Sequence, residues 1–541
     1  MCQPETTLSS TNEKEGDRAE PKTQSVASSA ANAASPVKKR RGKRDKESEF
    51  SIELRAPAAS LPRKNKTKKS KALQRHGKDS PSGGLEALVP SLIGVAILGF
   101  SIMAQMGFRG RASVAGIDLG TTNSVICVQK QSKSVGDIEC IPDPATGSPI
   151  IPSVVAFLET SERKVGPSSK IKSLLNPHPS HVLVGQAAKK RIDSHPHHTL
   201  YNAKRVLGRP PSDPAVDELR KQVEFQVGFS SGEVAFQVDD NLIPPEQVGS
   251  YIVHHLMQIT KTFLGHENVK SAVLAVPAKF NALQRQRTME AFKNAGITIA
   301  RVLEEPTAAA LAYGLHKKEG VEKILVYDFG GGTLDISILH VSEGYCEVIG
   351  SDGDDLLGGV DFDTVVANVL TEQHSHILSN LESYSANPEE LAASCAQITD
   401  GLPLCSVSSF HTIGENMKIS LSRTGETATA KCLSLPLSDS SDKKSTRELC
   451  DRLSPINLVL SLEAYDKAAK PLYERSLLPV QRLLADLTLR PDEIDEIVMV
   501  GGTTRMPQIR ELVRGAFSNA QLNTHIDPDL TVAFGAASVN D

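Results

Sequence analysis

The sequence predicts an α/β protein whose body is two similar lobes, preceded by a disordered basic tail and one apolar segment of membrane length. Three observations carry this. From residue 112 onward, short β-branched runs ending in Gly or Pro alternate with helical stretches. A strand-turn motif built on Asp-x-Gly occurs twice, at Asp118 and Asp328, which points to a duplication. Residues 1–84 are rich in Ser, Ala, Lys, Glu and Pro with almost no apolar periodicity.

Such a tail cannot bury enough surface to offset its chain entropy. Of the 541 residues, the first 80 hold 19 Lys/Arg against 10 Asp/Glu, leaving 41 against 54 for the remainder. A basic tail on an acidic body touches something anionic or sets membrane orientation. Two runs, "KKRRGKRDK" (38–46) and "RKNKTKK" (63–69), have the composition of nuclear-import or nucleic-acid patches. A solvated cytosolic tail is the favoured reading, because an apolar segment of membrane length comes directly after it, and no nucleic acid is expected as a partner.

Residues 87–108, "ALVPSLIGVAILGFSIMAQMGF", carry no charge over 22 positions and show no polar face. About 20 such residues span a bilayer as a helix. Positive charge lies mainly on the N-terminal side, which places the tail in the cytosol and the body in the lumen. A signal peptide with a long n-region, cleaved near 104–107, is the rival and sends the body to the same side. The expected organisation is therefore a tail (1–84), a transmembrane helix or uncleaved signal anchor (85–108), a first lobe (112–317) and a second lobe (318–541).

Within the body, "SVAGIDLG", "SAVLAVP" (271–277), "KILVYDFGGG" (323–332) and "EIVMVGG" (496–502) read as buried strands. Residues 281–296, 304–318 and 505–517 read as helices, with Pro306 and Pro507 in first turns and Gly296 as a stop. The acidic, Ser-rich stretch 438–448 reads as an exposed loop. The eight cysteines form no CxxC and no cluster with zinc spacing, so they read as buried or spare thiols with no metal site.

The chemistry sits in the turns. "AGIDLGTTNS" and "VYDFGGGTLD" share an apolar strand, Asp, any residue, Gly, a small-residue turn and Thr. A phosphate chain needs backbone N–H groups at close range, which Gly and other small residues allow, and Thr hydroxyls add donors. The aspartates carry the wrong charge for phosphate but suit Mg²⁺ held through its water shell. A third turn, "MVGGTTRMP" (499–507), ends a strand and opens a helix, where nucleoside or phosphate can pack. Two lobes with facing turns form a cleft for one polyphosphate.

These stretches, with "YNAKRVLGR", "EEPTAAALAYGLHK", "LGGVDFD" and "IVMVGGTTRMPQIREL", resemble the nucleotide-binding domain of the 70-kDa heat-shock chaperones, in the family's order and over nearly all of 112–540. Within the family the resemblance is to the branch of microsomal stress-seventy ATPase cores, which lack a peptide-binding domain. The resemblance implies a duplicated actin-like (ribonuclease H-like) ATPase fold binding ATP or ADP with Mg²⁺. It implies that Asp118, Asp328 and Asp335 organise Mg²⁺ and its waters. Gly120, Thr121, Thr122, Asn123, Gly330, Gly331, Gly332 and Thr333 would wrap the β- and γ-phosphates. Lys204 would reach the γ-phosphate and attacking water, and Glu305 would orient that water or a magnesium water. Gly358 and Gly359 would lie on the cleft. Glu415, Lys418, Ser422, Gly501, Gly502, Arg505 and Asp529 would hold the adenosine.

The sequence departs from the family in places. Ile419 stands where most members have an Arg stacked on adenine, and Val360 replaces a Glu. Lys279 and Ala282 replace residues that contact the peptide-binding domain in full-length chaperones. The stretch "AFGAASVND" corresponds to the last, truncated helix of the ATPase domain, so coupling to peptide release within one chain is not expected. The expected function is slow, Mg-dependent ATP hydrolysis at the endoplasmic reticulum, with the ATPase lobes in the lumen and membrane contact through 87–108. Client proteins and J-type or nucleotide-exchange cochaperones are the implied partners. A nucleotide-dependent interaction module with little turnover, and a sugar kinase or filament protein of the same superfold, are the alternatives; the "EEPTAAALAYGL" and "YNAKRVLGR" stretches disfavour the last.

Overall fold

Two sheets of the same topology frame the molecule in a computed structural model that describes residues 114–129, 138–158, 181–192, 194–384, 402–435 and 446–539. The expected tail and the apolar segment 87–108 lie outside the described residues. Among the described residues no helix is long and apolar enough to cross a membrane.

The first sheet contains β1 (Val114–Leu119), β2 (Asn123–Gln129), β3 (Ile138–Cys140), β4 (Ser271–Val276) and β5 (Thr298–Glu304), in the order β5-β4-β1-β2-β3, with a sixth, two-residue strand (Ile151–Pro152) paired to the start of β2. Strands β1 to β3 form an antiparallel meander, and β4 and β5 add in parallel on the other side of β1. The second sheet contains β6 (Lys323–Phe329), β7 (Leu334–Ser342), β8 (Tyr345–Asp354), β9 (Glu496–Val500) and β10 (Gln521–Asn523), in the order β8-β7-β6-β9-β10. Again an antiparallel meander is followed by two parallel strands. The repeat of the Asp-x-Gly motif is thus a repeat of whole sheets. Central parallel strands are covered on both faces, which is why "SAVLAV" and "EIVMV" are almost continuously apolar.

Helices cover these sheets: α1 (Pro245–Leu264), α2 (Ala282–Asn294), α3 (Glu305–Ala312), α4 (Gly359–Gln373), α5 (Val407–Thr424), α6 (Leu462–Asp486), α7 (Pro507–Ala516) and α8 (Thr531–Ser538). Asn281 and Gln284 close a capping box at the start of α2. Pro306 and Pro507 occupy first turns, where their missing N–H costs nothing. The helix expected over 304–318 stops at Ala312; Gly314, at φ +67°, turns the chain into a short 3₁₀ segment. The loop expected over 438–448 yields at its end to a helix, Thr446–Asp451.

Chain order puts 531–538 in the second lobe, but α8 packs on β1, β2 and β4 of the first. Helix α3 comes from the first half and packs against β6 and β8 of the second as well as β4 and β5 of the first. The boundary at 317/318 therefore describes the chain and not the packing. The two helices cross between the sheets through small residues: Ala308, Ala309 and Ala310 on α3, and Ala533, Ala536 and Ala537 on α8, all fully buried. A Cβ at Gly535 would lie 1.8 Å from the carbonyl oxygen of Ala308, and a Cβ at Gly116 would lie 2.2 Å from the amide nitrogen of Ala537. Gly116 thus lets α8 lie directly on β1.

The reading of the cysteines as spare thiols is corrected for Cys127, Cys140, Cys405, Cys432 and Cys450, all of which are disulfide-bonded. Cys127 faces Cys140 across the β2–β3 ladder, and the two form a disulfide. Cys405, just before α5, is bonded to Cys432. The partners are 13 and 27 positions apart and meet because separate elements bring them together, which spacing alone does not reveal. Cys346 is a half-buried free thiol. Among the described residues no cluster of His, Cys, Asp or Glu is arranged to hold a metal by itself.

Candidate functional site

The two Asp-x-Gly turns face each other. Gly120–Thr122 joins β1 to β2, and Gly330–Thr333 joins β6 to β7. They touch: a Cβ on Gly331 would fall 2.4 Å from Thr122 Oγ1. That hydroxyl is buried with no hydrogen-bond partner, so it is left to serve a guest.

The second turn is held from behind by its carbonyl groups. Gly330 O accepts from the Gly359 amide (3.1 Å) and the Thr503 hydroxyl (2.8 Å), and Gly331 O from the Val360 amide (2.9 Å). Gly332 O accepts from Arg205 Nη2 at 2.8 Å, a buried bond from the opposite lobe. A trans peptide directs its N–H opposite to its carbonyl, so the N–H of Gly331, Gly332 and Thr333 points away from the carbonyl thus engaged. Three adjacent N–H groups so oriented make an anion-binding concavity.

Beneath the turns lies a crowd of carboxylates. Asp328 and Asp335 are directly opposite each other across the β6–β7 ladder, where like charges repel. Lys204 and Glu305 form an ion pair of 2.8 Å with side chains only 12% and 10% exposed. Burial, then the neighbouring Glu305 and Asp529, push Asp118 up to about 7 against the opposing pull of Lys204. Burial, with Glu305, Asp335 and Asp118 close by, raises Asp328 well above the usual carboxylate range. Burial also raises Glu305, although Lys204 opposes it. For Lys204, burial alone would lower the ammonium, but Glu305, Asp118 and Asp328 outweigh it and hold it above its ordinary value. A buried floor on which Lys204 faces Glu305, Asp118 and Asp328 calls for a further cation. Asp118 and Asp328 suit Mg²⁺, which takes one or two carboxylates and keeps its waters. Asp335 is less free, because Lys279 Nζ already sits 2.8 Å from its Oδ1.

On the far side, α5 contributes Glu415, Lys418, Ile419 and Ser422. Lys418 pairs with Asp363 at 2.7 Å and donates to Gly359 O at 2.9 Å. Glu415 reaches across to Lys189 of the first lobe at 3.2 Å. Arg505 bonds Asp529 at 2.7 Å and also contacts Asp527. Gly501 has φ +80°, and a Cβ there would strike Phe329 O at 2.4 Å, so only glycine fits this turn.

These residues line one cavity of about 590 Å³. It brings together Asp118, Gly120, Thr121, Thr122, Asn123, Lys204, Glu305, Asp328, Gly330, Gly331, Gly332, Thr333, Asp335, Gly359, Glu415, Lys418, Ser422, Gly501, Gly502, Arg505 and Asp529. Gly358 alone among the expected residues is off the wall. It packs behind the second turn, where a Cβ would lie 2.3 Å from Gly332 Cα. Arg205, Thr503, Asp363 and Asp355 join the site without having been expected. Arg205 follows Lys204 and could have been suspected; the others act through contacts distant in the chain.

A family model described as "Hsp70 protein" matches residues 114–182, 177–387 and 411–541. A curated relative, chaperone protein DnaK of Prochlorococcus marinus (strain MIT 9515), is 35% identical over 426 residues, 78% of this chain and 58% of that protein. The chain thus spans rather more than half the length of this relative.

Proposed function

The chain belongs to the Hsp70 family, and from that premise we propose that it binds ATP with Mg²⁺ in the cleft and hydrolyses it slowly. The observation that carries the proposal is the meeting of both Asp-x-Gly turns with the buried Lys204–Glu305 pair in one cavity of about 590 Å³, within the size range of small-molecule sites. Phosphoryl transfer is mainly positioning and charge stabilisation. The turn amides and the Thr122 and Thr333 hydroxyls would hold the β- and γ-phosphates. Lys204 would neutralise charge building on the γ-phosphate. Glu305, fixed by Lys204, would accept a hydrogen bond from the attacking water and so orient it. Asp118 and Asp328 would hold Mg²⁺ through its waters, and the ion would supply neutralisation of the phosphate charge. Arg505, Asp529, Lys418 and Ser422 line the wall where the nucleoside would lie.

Single-turnover phosphate release by the full chain tests this, comparing wild type with Lys204→Ala and Thr333→Ala. Loss of at least ten-fold in both variants is expected. Equal rates in all three would leave only the second reading, a nucleotide-dependent interaction module. The lysine already seated on Asp335 favours that reading.

We further propose that the body works in the lumen of the endoplasmic reticulum, with 87–108 as anchor or signal, serving client proteins with J-type or nucleotide-exchange cochaperones. The charge asymmetry of the tail supports this orientation. So do the Cys127–Cys140 and Cys405–Cys432 disulfides, since such bonds persist in oxidising compartments. Protease treatment of sealed microsomes decides the matter: digestion of the body without detergent sinks the placement.

A further inference from the structure

Two carboxylates of the second lobe take cations from the first. Asp335 lies on β7, and Asp355 follows β8. Lys279, three residues beyond β4, places Nζ 2.8 Å from Asp335 Oδ1 and hydrogen-bonds Asp355 as well. Arg209, also of the first lobe, grips Asp355 at 2.6 Å and is itself anchored by Asp213 at 3.0 Å. The ammonium has a made-to-fit berth: a Cβ on Gly353 would come within 2.9 Å of Lys279 Nζ. These side chains are 20–33% exposed, so solvent screens them only in part. Burial would lower Lys279, but Asp335 and Asp355 outweigh it and hold the amine charged. Burial would raise Asp355, but Lys279 and Arg209 hold it below the usual carboxylate range. The field of Lys279 also reaches Glu305.

Lys204 serves Glu305, Asp118 and Asp328; Lys279 serves Asp335 and Asp355. The cleft floor therefore has two internal counter-ions, and the second bridges the lobes. We propose that Lys279 is a resident second cation of the phosphate site. It takes over part of the charge neutralisation that Mg²⁺ supplies and ties the lobes together when the metal is absent. Two effects of opposite sign follow from Coulomb's law. Lys279 strengthens nucleotide binding without metal, and it repels a divalent ion placed beside Asp118 and Asp328. Both make nucleotide affinity less dependent on Mg²⁺, and linkage makes the metal's affinity correspondingly less dependent on nucleotide.

The inference rests on the nucleotide-site reading. Its test is equilibrium binding of a fluorescent ADP analogue to the full chain in excess Mg²⁺ and in EDTA. The quantity read is the dissociation constant in EDTA divided by that in Mg²⁺. In Lys279→Met the ratio should rise at least ten-fold over wild type, and Lys279→Arg should restore it to within about three-fold. Asp355→Asn removes the Asp355 half of the lobe-to-lobe tie, its pairs with Lys279 and Arg209, and should speed nucleotide release in EDTA at least five-fold, because loss of a charged partner acts on dissociation. It also serves as an independent check should Lys279→Met not fold. A wild-type ratio in folded Lys279→Met, or a wild-type release rate in Asp355→Asn, overturns the proposal. No binding by the wild type even in Mg²⁺ would instead overturn the nucleotide reading beneath it.

Discussion

Replacing Gly116 by Ala adds one methyl group where β1 and α8 meet backbone to backbone. The new Cβ would stand 2.2 Å from the amide nitrogen of Ala537, 2.5 Å from the oxygen of Ala533 and 2.7 Å from the carbon of Ala536. Carbon contacts are comfortable at about 3.5–4.0 Å, so α8 must retreat by about 1 Å. No side-chain rotamer can absorb this, because the obstacles are main-chain atoms. The retreat lifts Ala533 and Ala537, both fully buried, off Val125 and Cys127. A gap of that size forfeits about a quarter to a half of each contact. Overpacking of this kind costs about 1–3 kcal/mol, and the upper end is expected here. For a body of this size that is a fall in Tm of about 3–6 °C, scaled from smaller domains. Two residues further along β1 is Asp118, so nucleotide affinity should fall together with Tm. Gly515 is the internal control. It lies in α7 with nothing near its vacant Cβ position, and Gly515→Ala should be neutral or stabilising by about 0.5–1 kcal/mol. Differential scanning calorimetry of both variants checks the reasoning. An unchanged Tm in Gly116→Ala, or equal losses in both, refutes it.

Three further outcomes are expected. Asp118 has its folded-state pKa raised from 3.8 to about 7, chiefly by burial, so between those values the native state holds a proton that the unfolded chain has released. Stability of the nucleotide-free chain in EDTA should therefore fall from pH 5.5 to 7.5, with Asp118 contributing roughly 2 kcal/mol. Asp118→Asn should remove that share of the slope in urea unfolding; identical slopes in the two proteins would count against it. The Cys405–Cys432 disulfide closes a loop with a sequence separation of 27, worth about 3.5 kcal/mol of chain entropy. Reductant should lower the unfolding midpoint of wild type more than that of Cys405→Ser/Cys432→Ser, and non-reducing peptide mapping should find the linked pair. Ile419 is 37% exposed on the cavity wall, and Ile419→Arg should tighten adenine-nucleotide binding about five-fold, the worth of roughly 1 kcal/mol of cation–π contact. No gain would mean that the base does not lie against this turn of α5.

Much of this protein is readable along the chain. The turns "GIDLGTTNS" and "VYDFGGGTLD" declare themselves because close approach to phosphate demands small residues in consecutive positions, and the strands before them because central strands are apolar on both faces. Helix starts at Asn281, Pro306 and Pro507 are likewise local matters of capping and of φ. What escaped lies in contacts between distant segments. Gly116 reads as one more residue of the strand before a phosphate turn, yet its own constraint is the C-terminal helix α8 that lies on it. Gly358 reads as a cleft residue and proves to be the backing of one. The cysteines carry no mark of their partners until β2 meets β3 and Cys432 meets the start of α5. Lys279 reads as a departure from a motif, and only the approach of the second lobe gives its charge two carboxylates to hold. Local sequence determines backbone conformation and which chemistry a turn can offer, because those depend on neighbours a few residues away. Which charges meet, which thiols pair and which glycines have no room for a methyl group are decided by how the two lobes and their crossing helices close on each other.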